Sequence, residues 1–174
     1  MQAVALETSS MTEPDDCSEQ LQLDRFLPYQ LSIASNAVSN RIAEIYRVRF
    51  DLKIPEWRIM AVLGDTGPAT QRELTARTLM DKVAVNRACR TLEERGFVER
   101  EPNATDGRSH HLALTAQGRS IYDRIMPLTL RMEQQLFAPF SPAERESFAR
   151  LLSRVRERAG ELDVSAVEGR GSGG

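Results

Sequence analysis

Residues 81–100 read DKVAVNRACRTLEERGFVER, and this stretch decides the fold. At about 100° per residue, one side of a helix through it carries small or apolar residues, Val85, Ala88, Cys89 and Leu92. The other side carries a mostly polar and basic set, Lys82, Val83, Asn86, Arg87 and Arg90. Asp81 can cap the start of this helix and Gly96 can end it. The pattern predicts a helix with an apolar back and a basic front.

The residues before this stretch predict three more helices. From residue 28 to residue 50, apolar residues recur at steps of three and four, which indicates a long amphipathic helix. Pro55 and Gly64 frame a second, almost entirely apolar helix, which we expect in the core. Thr70 and Glu73 form a capping-box pattern, which predicts the start of a short third helix. The helix with the basic front is therefore the fourth.

After Gly96 the periodicity changes from helical to alternating. Residues 97–101 (FVERE) and 110–115 (HHLALT) alternate, as strands do. The segment between them contains PNATDG at 102–107, which is typical of a turn. We therefore predict two strands joined as a hairpin.

Two helices are predicted after the hairpin. Thr115 can cap a fifth helix that extends to about residue 137, and Pro127 is expected to kink or interrupt it. Ser141, followed by Pro142 and Glu144, predicts the start of a sixth helix. We expect its apolar residues to face inward, namely Phe148, Leu151, Leu152 and Val155.

The order of these elements predicts a winged helix-turn-helix lobe, in a chain that is mainly α with a small β-hairpin wing. A helix that enters the DNA major groove with its first turns needs an apolar back to dock on its domain, and Asn or Arg side chains in front to contact base edges. We therefore predict DNA contacts from the basic front of the fourth helix, Lys82, Val83, Asn86, Arg87 and Arg90. A solvated basic surface without DNA is the alternative interpretation.

The same arrangement predicts DNA contacts outside the fourth helix. Thr70 and Gln71, at the start of the third helix, are expected to hold phosphates through hydroxyl, amide and backbone N–H groups. Arg108, near the hairpin tip, is expected to approach the minor groove. His110 is a further candidate in the wing, with a surface histidine as the alternative. His110 and His111 are adjacent in a strand and point to opposite faces, so we expect no shared metal site.

Composition and charge are compatible with a nucleic-acid partner. The chain has 174 residues, of which 41% are hydrophobic and 28% are charged, as in ordinary globular proteins. It has no apolar run of the ~18 residues that a membrane helix needs and no signal-peptide pattern, so we expect a cytoplasmic protein. The net charge is −2, but residues 1–24 hold six acids and no Lys or Arg, which leaves the remaining chain at +4. That asymmetry permits a polyanionic partner.

The sequence holds none of the motifs that indicate an enzyme. It lacks a nucleophile elbow, a metal-binding helix pair and a phosphate loop, so we predict no catalytic residues, no metal and no cofactor. Cys17 and Cys89 lie 72 positions apart, which suits neither a disulfide framework nor a metal site. We expect both thiols to be reduced.

Four segments together resemble the MarR family of bacterial transcriptional regulators. They are IPEWRIMAVL (54–63), the stretch at 81–100 quoted above, DGRSHHLALTAQG (106–118) and FSPAERESFARLL (140–152). The similarity spans roughly residues 25–160. The resemblance implies a salt bridge in the wing, in which Asp106 braces the guanidinium of Arg108.

The resemblance also implies a homodimer that binds a palindromic operator. The two half-sites would lie about one helical turn apart, ~10 bp from centre to centre, or a multiple of that. The domains expected from it are an N-terminal dimerisation helix (21–52), the winged helix-turn-helix lobe that binds DNA (53–115) and C-terminal dimerisation helices (116–160). The composition of the two ends predicts a disordered acidic arm (1–20) and a flexible tail (161–174).

Regulators of this family usually respond to a small molecule, often an anionic aromatic, bound between the dimerisation helices and the DNA-binding lobe. The residues expected near such a cleft are Ser32, Ser35, Asn36, Ser39, Trp57 and Arg58. Arg58 can pair with a carboxylate and Trp57 can stack on a ring. The alternative interpretation places Trp57 in the core and Arg58 in a surface or intersubunit ion pair. The first two helices also resemble branches that control catabolism of aromatic acids or their CoA thioesters.

Three functions are open at this point. We expect a repressor that leaves its operator when an effector, an aromatic acid or an aromatic CoA thioester, binds a conformer with wrongly spaced DNA-contacting helices. A redox-sensing regulator of the same fold is the second. Cys89 lies on the apolar side of its helix, where a thiol is usually inert, and Cys17 lies in the arm. A winged-helix adaptor that binds proteins instead of DNA is the third.

Overall fold

The computed structural model describes residues 22–102, 110–163 and 165. Over these residues the chain is mainly helical with a small antiparallel sheet, which confirms the predicted winged helix-turn-helix fold class. The elements in chain order are α1 Leu27–Phe50, α2 Ile54–Thr66, β1 Ala69–Thr70, α3 Gln71–Thr78, α4 Lys82–Glu94, β2 Val98–Pro102, β3 His110–Leu114, α5 Ala116–Leu136 and α6 Pro142–Glu161.

The described residues belong to two compact units that divide within α1, after Val38. In the first unit, the early turns of α1 are exposed, including the apolar side chains of Leu27 and Leu31. In the second unit, the last turns of α1 bury Ala43 and Tyr46 in the core. The long amphipathic helix predicted from the sequence is therefore present, but its two ends have different surroundings.

Three short strands form an antiparallel sheet in the order β1-β3-β2. β2 and β3 are the two strands of the predicted hairpin, with Val98 opposite Leu114. β1 is missing from the sequence prediction, because a strand of two residues, Ala69 and Thr70, is too short to show alternation. It pairs with β3 through Ala69 opposite Leu112 and ties the start of α3 to the wing.

The core of the winged lobe lies around α2. Three side chains of α2, those of Ile59, Met60 and Leu63, are almost completely buried, as its apolar sequence predicts. The apolar back of α4 is buried as well, through Val85, Ala88, Cys89 and Leu92. Truncating a large buried aliphatic side chain to alanine costs ~2–5 kcal/mol, so this packing firmly determines which side of α4 faces solvent.

α5 runs through Pro127 without a break. The predicted interruption is therefore wrong, and the other predicted outcome, a kink at Pro127, stays a prediction. Proline removes one N–H from the helix and leaves the carbonyl four residues earlier without its usual partner. Pro127 and Asp123 are both exposed, so water can bond that carbonyl in place of the missing N–H.

The apolar residues of α6 are exposed in the single chain. The side chains in question are 39–52% exposed, namely Phe148, Leu151, Leu152 and Val155. Phe148 contacts Phe137, with the ring centroids 6.0 Å apart, but this contact leaves it 48% exposed. The prediction that these residues face inward is wrong for one chain, because helical periodicity identifies an apolar face without identifying what covers it.

Candidate nucleic-acid interface

The start of α4 is held by a side-chain cap and a tight turn. The carboxylate of Asp81 accepts a hydrogen bond from the backbone N–H of Ala84 at 2.8 Å, as the sequence predicts. Leu79 ends α3 in the left-handed backbone region (φ 52°), and its N–H donates to the carbonyl of Thr75 at 3.0 Å. The turn between α3 and α4 is therefore short and closed by local hydrogen bonds.

The residues predicted on the basic front of α4 lie together on one exposed surface. We call this surface the α4 front, and its members are Lys82, Val83, Asn86, Arg87 and Arg90. They lie three and four positions apart, which places them as neighbours on a helix. Because the opposite side of α4 is buried in the core, the front is the side that a ligand of the lobe can reach.

Ion pairing leaves the α4 front positively charged. Arg90 donates to Glu94 at 2.8 Å, but both side chains are mostly exposed, and such a pair contributes only ~0–1 kcal/mol. A phosphate can therefore replace Glu94. Lys82 and Arg87 form no ion pair with another residue in the described part of the chain. Two of the three cations of the front thus have no intramolecular partner among the described residues.

The acid of α4 nearest the wing is paired away from the front. The carboxylate of Glu93 accepts hydrogen bonds from the guanidinium of Arg100 on β2. This bond raises the pKa of Arg100 above its ordinary value. The pair joins the end of α4 to the wing and neutralises one of the two acids in the last turns of the helix.

At the start of α3, of the two residues predicted to hold phosphates, the side chain of Thr70 is engaged in a helix cap and the amide nitrogen of Gln71 is buried. The hydroxyl of Thr70 donates to Glu73 at 2.9 Å and accepts from the N–H of Glu73 at 3.2 Å, in the predicted capping box. Hydrogen bonds from the backbone and the hydroxyl of Thr70 hold the pKa of Glu73 below its ordinary value. The amide nitrogen of Gln71 is buried and has no hydrogen-bond partner among the residues that the structure describes. In this conformation, the Thr70 hydroxyl and the Gln71 amide nitrogen are not available to a phosphate, so only backbone N–H groups at the start of α3 could bind one.

The wing residues predicted to approach DNA lie at and beyond the edge of the described hairpin. His110 is exposed at the first position of β3, opposite Pro102 of β2. Its neighbour His111 is half-buried and pairs with Thr70 of β1. Asp106 and Arg108, with their predicted salt bridge, lie outside the described residues, so both remain predictions.

The six predicted effector contacts have different environments. Trp57 is buried, and its ring stacks on those of Tyr46 at 5.5 Å and Tyr122 at 6.0 Å between centroids. This is the core position of the alternative interpretation. Arg58 is exposed and donates a hydrogen bond to the hydroxyl of Ser39 at 3.3 Å. The remaining three lie exposed on the early turns of α1 and stay predictions, namely Ser32, Ser35 and Asn36.

Cys89 has the properties of a packing residue. Its side chain has no solvent exposure, and burial is the main cause that raises the pKa of its thiol to about 11. The thiolate is the reactive form of cysteine, so this environment opposes oxidation at neutral pH. The redox alternative therefore receives no support from Cys89, and Cys17 lies outside the described residues.

Arg95 joins α4 to the connection between α1 and α2, a role that the sequence analysis missed. Its guanidinium donates to the carbonyls of Phe50 at 2.6 Å and Asp51 at 2.7 Å. It also lies 3.8 Å from the carboxylate of Glu56 and 4.6 Å from the ring centroid of Phe97. Glu56 is only 4% exposed, and a buried acid needs a partner. The signal in the sequence that could have indicated this partner is Glu56 itself, an acid in the first turn of an otherwise mostly apolar helix.

Two kinds of site are absent from the described residues, a cluster of metal ligands and a helix able to span a membrane. Among them, no three His, Cys, Asp or Glu side chains lie close enough together to ligate a metal ion. None of the described helices combines the length and the apolar character that crossing a bilayer requires.

Comparison with known proteins gives a consistent group of relatives. A model of the MarR family matches residues 50–109, which include α2, β1, α3, α4 and β2. The chain is 27% identical to the HTH-type transcriptional regulator YwoH of Bacillus subtilis, over 74% of this chain and 93% of that protein. It is 21% identical to the HTH-type transcriptional repressor IacR of Pseudomonas putida, over 81% of this chain and 84% of that protein.

A solved structure agrees with this comparison. A MarR/EmrR family transcriptional regulator from Acinetobacter sp. ADP1 superimposes with a TM-score of 0.76 and 25% identity, and the match covers 82% of this chain and all of that one. The match therefore extends well beyond the lobe that contains the α4 front.

Proposed function

We propose that this chain is a DNA-binding transcriptional regulator of the MarR family, and that it is a homodimeric repressor that binds a palindromic operator through the α4 front. One observation carries the proposal. The back of α4 is locked into the core, so Asn86, Arg87 and their cationic neighbours are presented together on the opposite, exposed side.

The chemistry of the α4 front suits the DNA major groove. A helix with its side chains is ~10–12 Å across and the groove is ~12 Å wide. Arg87 carries the paired N–H donors that bind the O6 and N7 atoms of guanine, and Asn86 has the donor and acceptor that bind adenine. Lys82 lies in the first turn, where the helix dipole also favours phosphate. The front thus combines base-edge contacts with charge neutralisation.

The proposed dimer rests on the apolar side chains that one chain leaves exposed on its terminal helices. On α6, Phe148 and Leu151 are about half exposed. Full burial of such a side chain is worth ~1.5–3 kcal/mol, so covering the exposed half of each yields roughly 1 kcal/mol. The same applies to Leu27 and Leu31 on α1. In this proposal, residues 21–52 and 116–160 supply the dimer contacts.

The proposed effector is a small anionic aromatic, an aromatic acid or its CoA thioester, that binds near Arg58. The guanidinium of Arg58 is exposed, and its only bond to another described side chain is the long contact of 3.3 Å with Ser39. A carboxylate binds a guanidinium more strongly than a neutral hydroxyl does. Trp57 is left out of this proposal because its ring is already packed in the core.

The test of DNA binding uses fluorescence anisotropy with the intergenic DNA upstream of the protein's own gene, against a scrambled duplex of equal length. Arg87→Ala is expected to weaken specific binding by ~1–3 kcal/mol. Arg158→Ala is the matched control, because it removes the same charge from an exposed site near the end of α6; since residue 158 lies in the proposed dimer region, sedimentation equilibrium is used first to select conditions in which this variant is a dimer. Wild-type affinity in Arg87→Ala would remove α4 from the interface. No binding to either duplex would favour the protein-binding adaptor.

A further inference from the structure

Val83 is an aliphatic side chain that the fold leaves uncovered. From α2 through β3, the large hydrophobic side chains that the structure describes as exposed are Leu79, at 72%, and Val83, at 68%. Leu79 belongs to the turn before α4, where it takes the left-handed conformation that ends α3. Val83 has no such role in the backbone. It lies at the second position of α4, on the α4 front.

An exposed valine at this position does not help the helix. Its β-branched side chain loses rotamer freedom in a helix and is a weaker helix former than alanine. Its neighbours on the front are polar, with Asn86 three positions away and Arg87 four positions away. Most of the side chain therefore has no apolar neighbour in the single chain, and its exposed surface suits an apolar partner on the molecule that the front binds.

We propose that Val83 contacts the C5-methyl group of a thymine in each operator half-site, an inference that rests on the proposed function. Thymine is the only standard base that presents a methyl group in the major groove, and apolar side chains recognise it there. Asn86 and Arg87 flank Val83 on the same face, so the contacted thymine lies beside the bases that these two residues bind. Val83 thereby determines specificity at one base pair per half-site.

The test removes the methyl group from the DNA and the aliphatic group from the protein. Full-length protein first selects duplexes from a randomised library. Each thymine of one half-site is then replaced singly by deoxyuridine, which pairs identically but lacks the C5-methyl group. At one position this change is expected to weaken wild-type binding about fourfold, which corresponds to the ~0.8 kcal/mol of one buried methylene-sized group.

The matching variants are Val83→Ala and Leu79→Ala. Val83→Ala is expected to bind the thymine and deoxyuridine duplexes equally, whereas Leu79→Ala is expected to keep the fourfold difference. Both side chains are exposed, so circular dichroism should show unchanged folding for each variant. Two results would overturn the proposed contact between Val83 and thymine without overturning DNA binding. One is that Val83→Ala still loses fourfold in affinity when deoxyuridine replaces the thymine. The other is that no single replacement weakens wild-type binding. Failure to enrich any duplex overturns the proposed function itself.

Discussion

Replacing Arg95 with alanine is expected to destabilise the protein far more than replacing an exposed arginine of α4. The side chain is 28% exposed and bonds the carbonyls of Phe50 and Asp51, beside the buried carboxylate of Glu56. Alanine removes these contacts together. It also leaves Glu56 with one described hydrogen bond, from the backbone N–H of Lys53 at 2.9 Å.

The magnitude follows from the type of contact that is lost. A hydrogen bond from a charged donor contributes ~1.5–3 kcal/mol, and removing one partner of a buried ion pair costs ~3–5 kcal/mol. These effects overlap because they involve one guanidinium, and the partial exposure of Arg95 lowers the total. We expect a loss of about 3 kcal/mol. With a urea m-value of ~2 kcal/mol/M, the unfolding midpoint should fall by about 1.5 M.

The assay is urea unfolding followed by circular dichroism and by the fluorescence of Trp57, the single tryptophan. All variants are compared at one protein concentration, because dimerisation makes the midpoint depend on concentration. Arg90→Ala is the control, since it loses only the exposed pair with Glu94 and should shift the midpoint by less than about 0.5 M. Adding Glu56→Gln to Arg95→Ala should recover part of the loss. A midpoint for Arg95→Ala equal to that of Arg90→Ala would refute the reasoning.

Three further predictions concern packing, ionisation and assembly. Gly118→Ala should lower stability by ~1–3 kcal/mol, because its Cβ would meet the carbonyl oxygen of Phe97, whereas Gly160→Ala, with open space around it, should raise helix stability slightly in the same urea assay. Between pH 9 and about 11 the unfolded thiol of Cys89 ionises while the native one stays protonated, so the urea midpoint should fall with pH, and Cys89→Ala should show a shallower slope; the slope that remains includes Tyr46, whose pKa burial raises to about 12. Leu151→Glu should yield folded monomers in sedimentation equilibrium; persistent dimers would contradict the proposed α6 interface.

Local hydrogen bonding made the helix starts predictable from the sequence. Asp81, Thr70 and Ser141 all accept the backbone N–H bonds that their positions in the sequence predict. A cap depends on residues three positions apart, so the sequence contains everything needed to recognise it. The two-residue strand β1 depends instead on distant pairing with Leu112, and no local pattern marks it.

The sequence by itself determined the fold class, the caps and the two sides of α4, because helical periodicity and capping are properties of near neighbours in the chain. Only the tertiary structure decided that Arg95 pairs with Glu56, that Trp57 is packed against Tyr46, and that the amide of Gln71 is turned inward. These positions depend on which distant segments pack together. Burial and pairing are set by the whole core, whereas the pattern of one segment records only which of its residues are apolar.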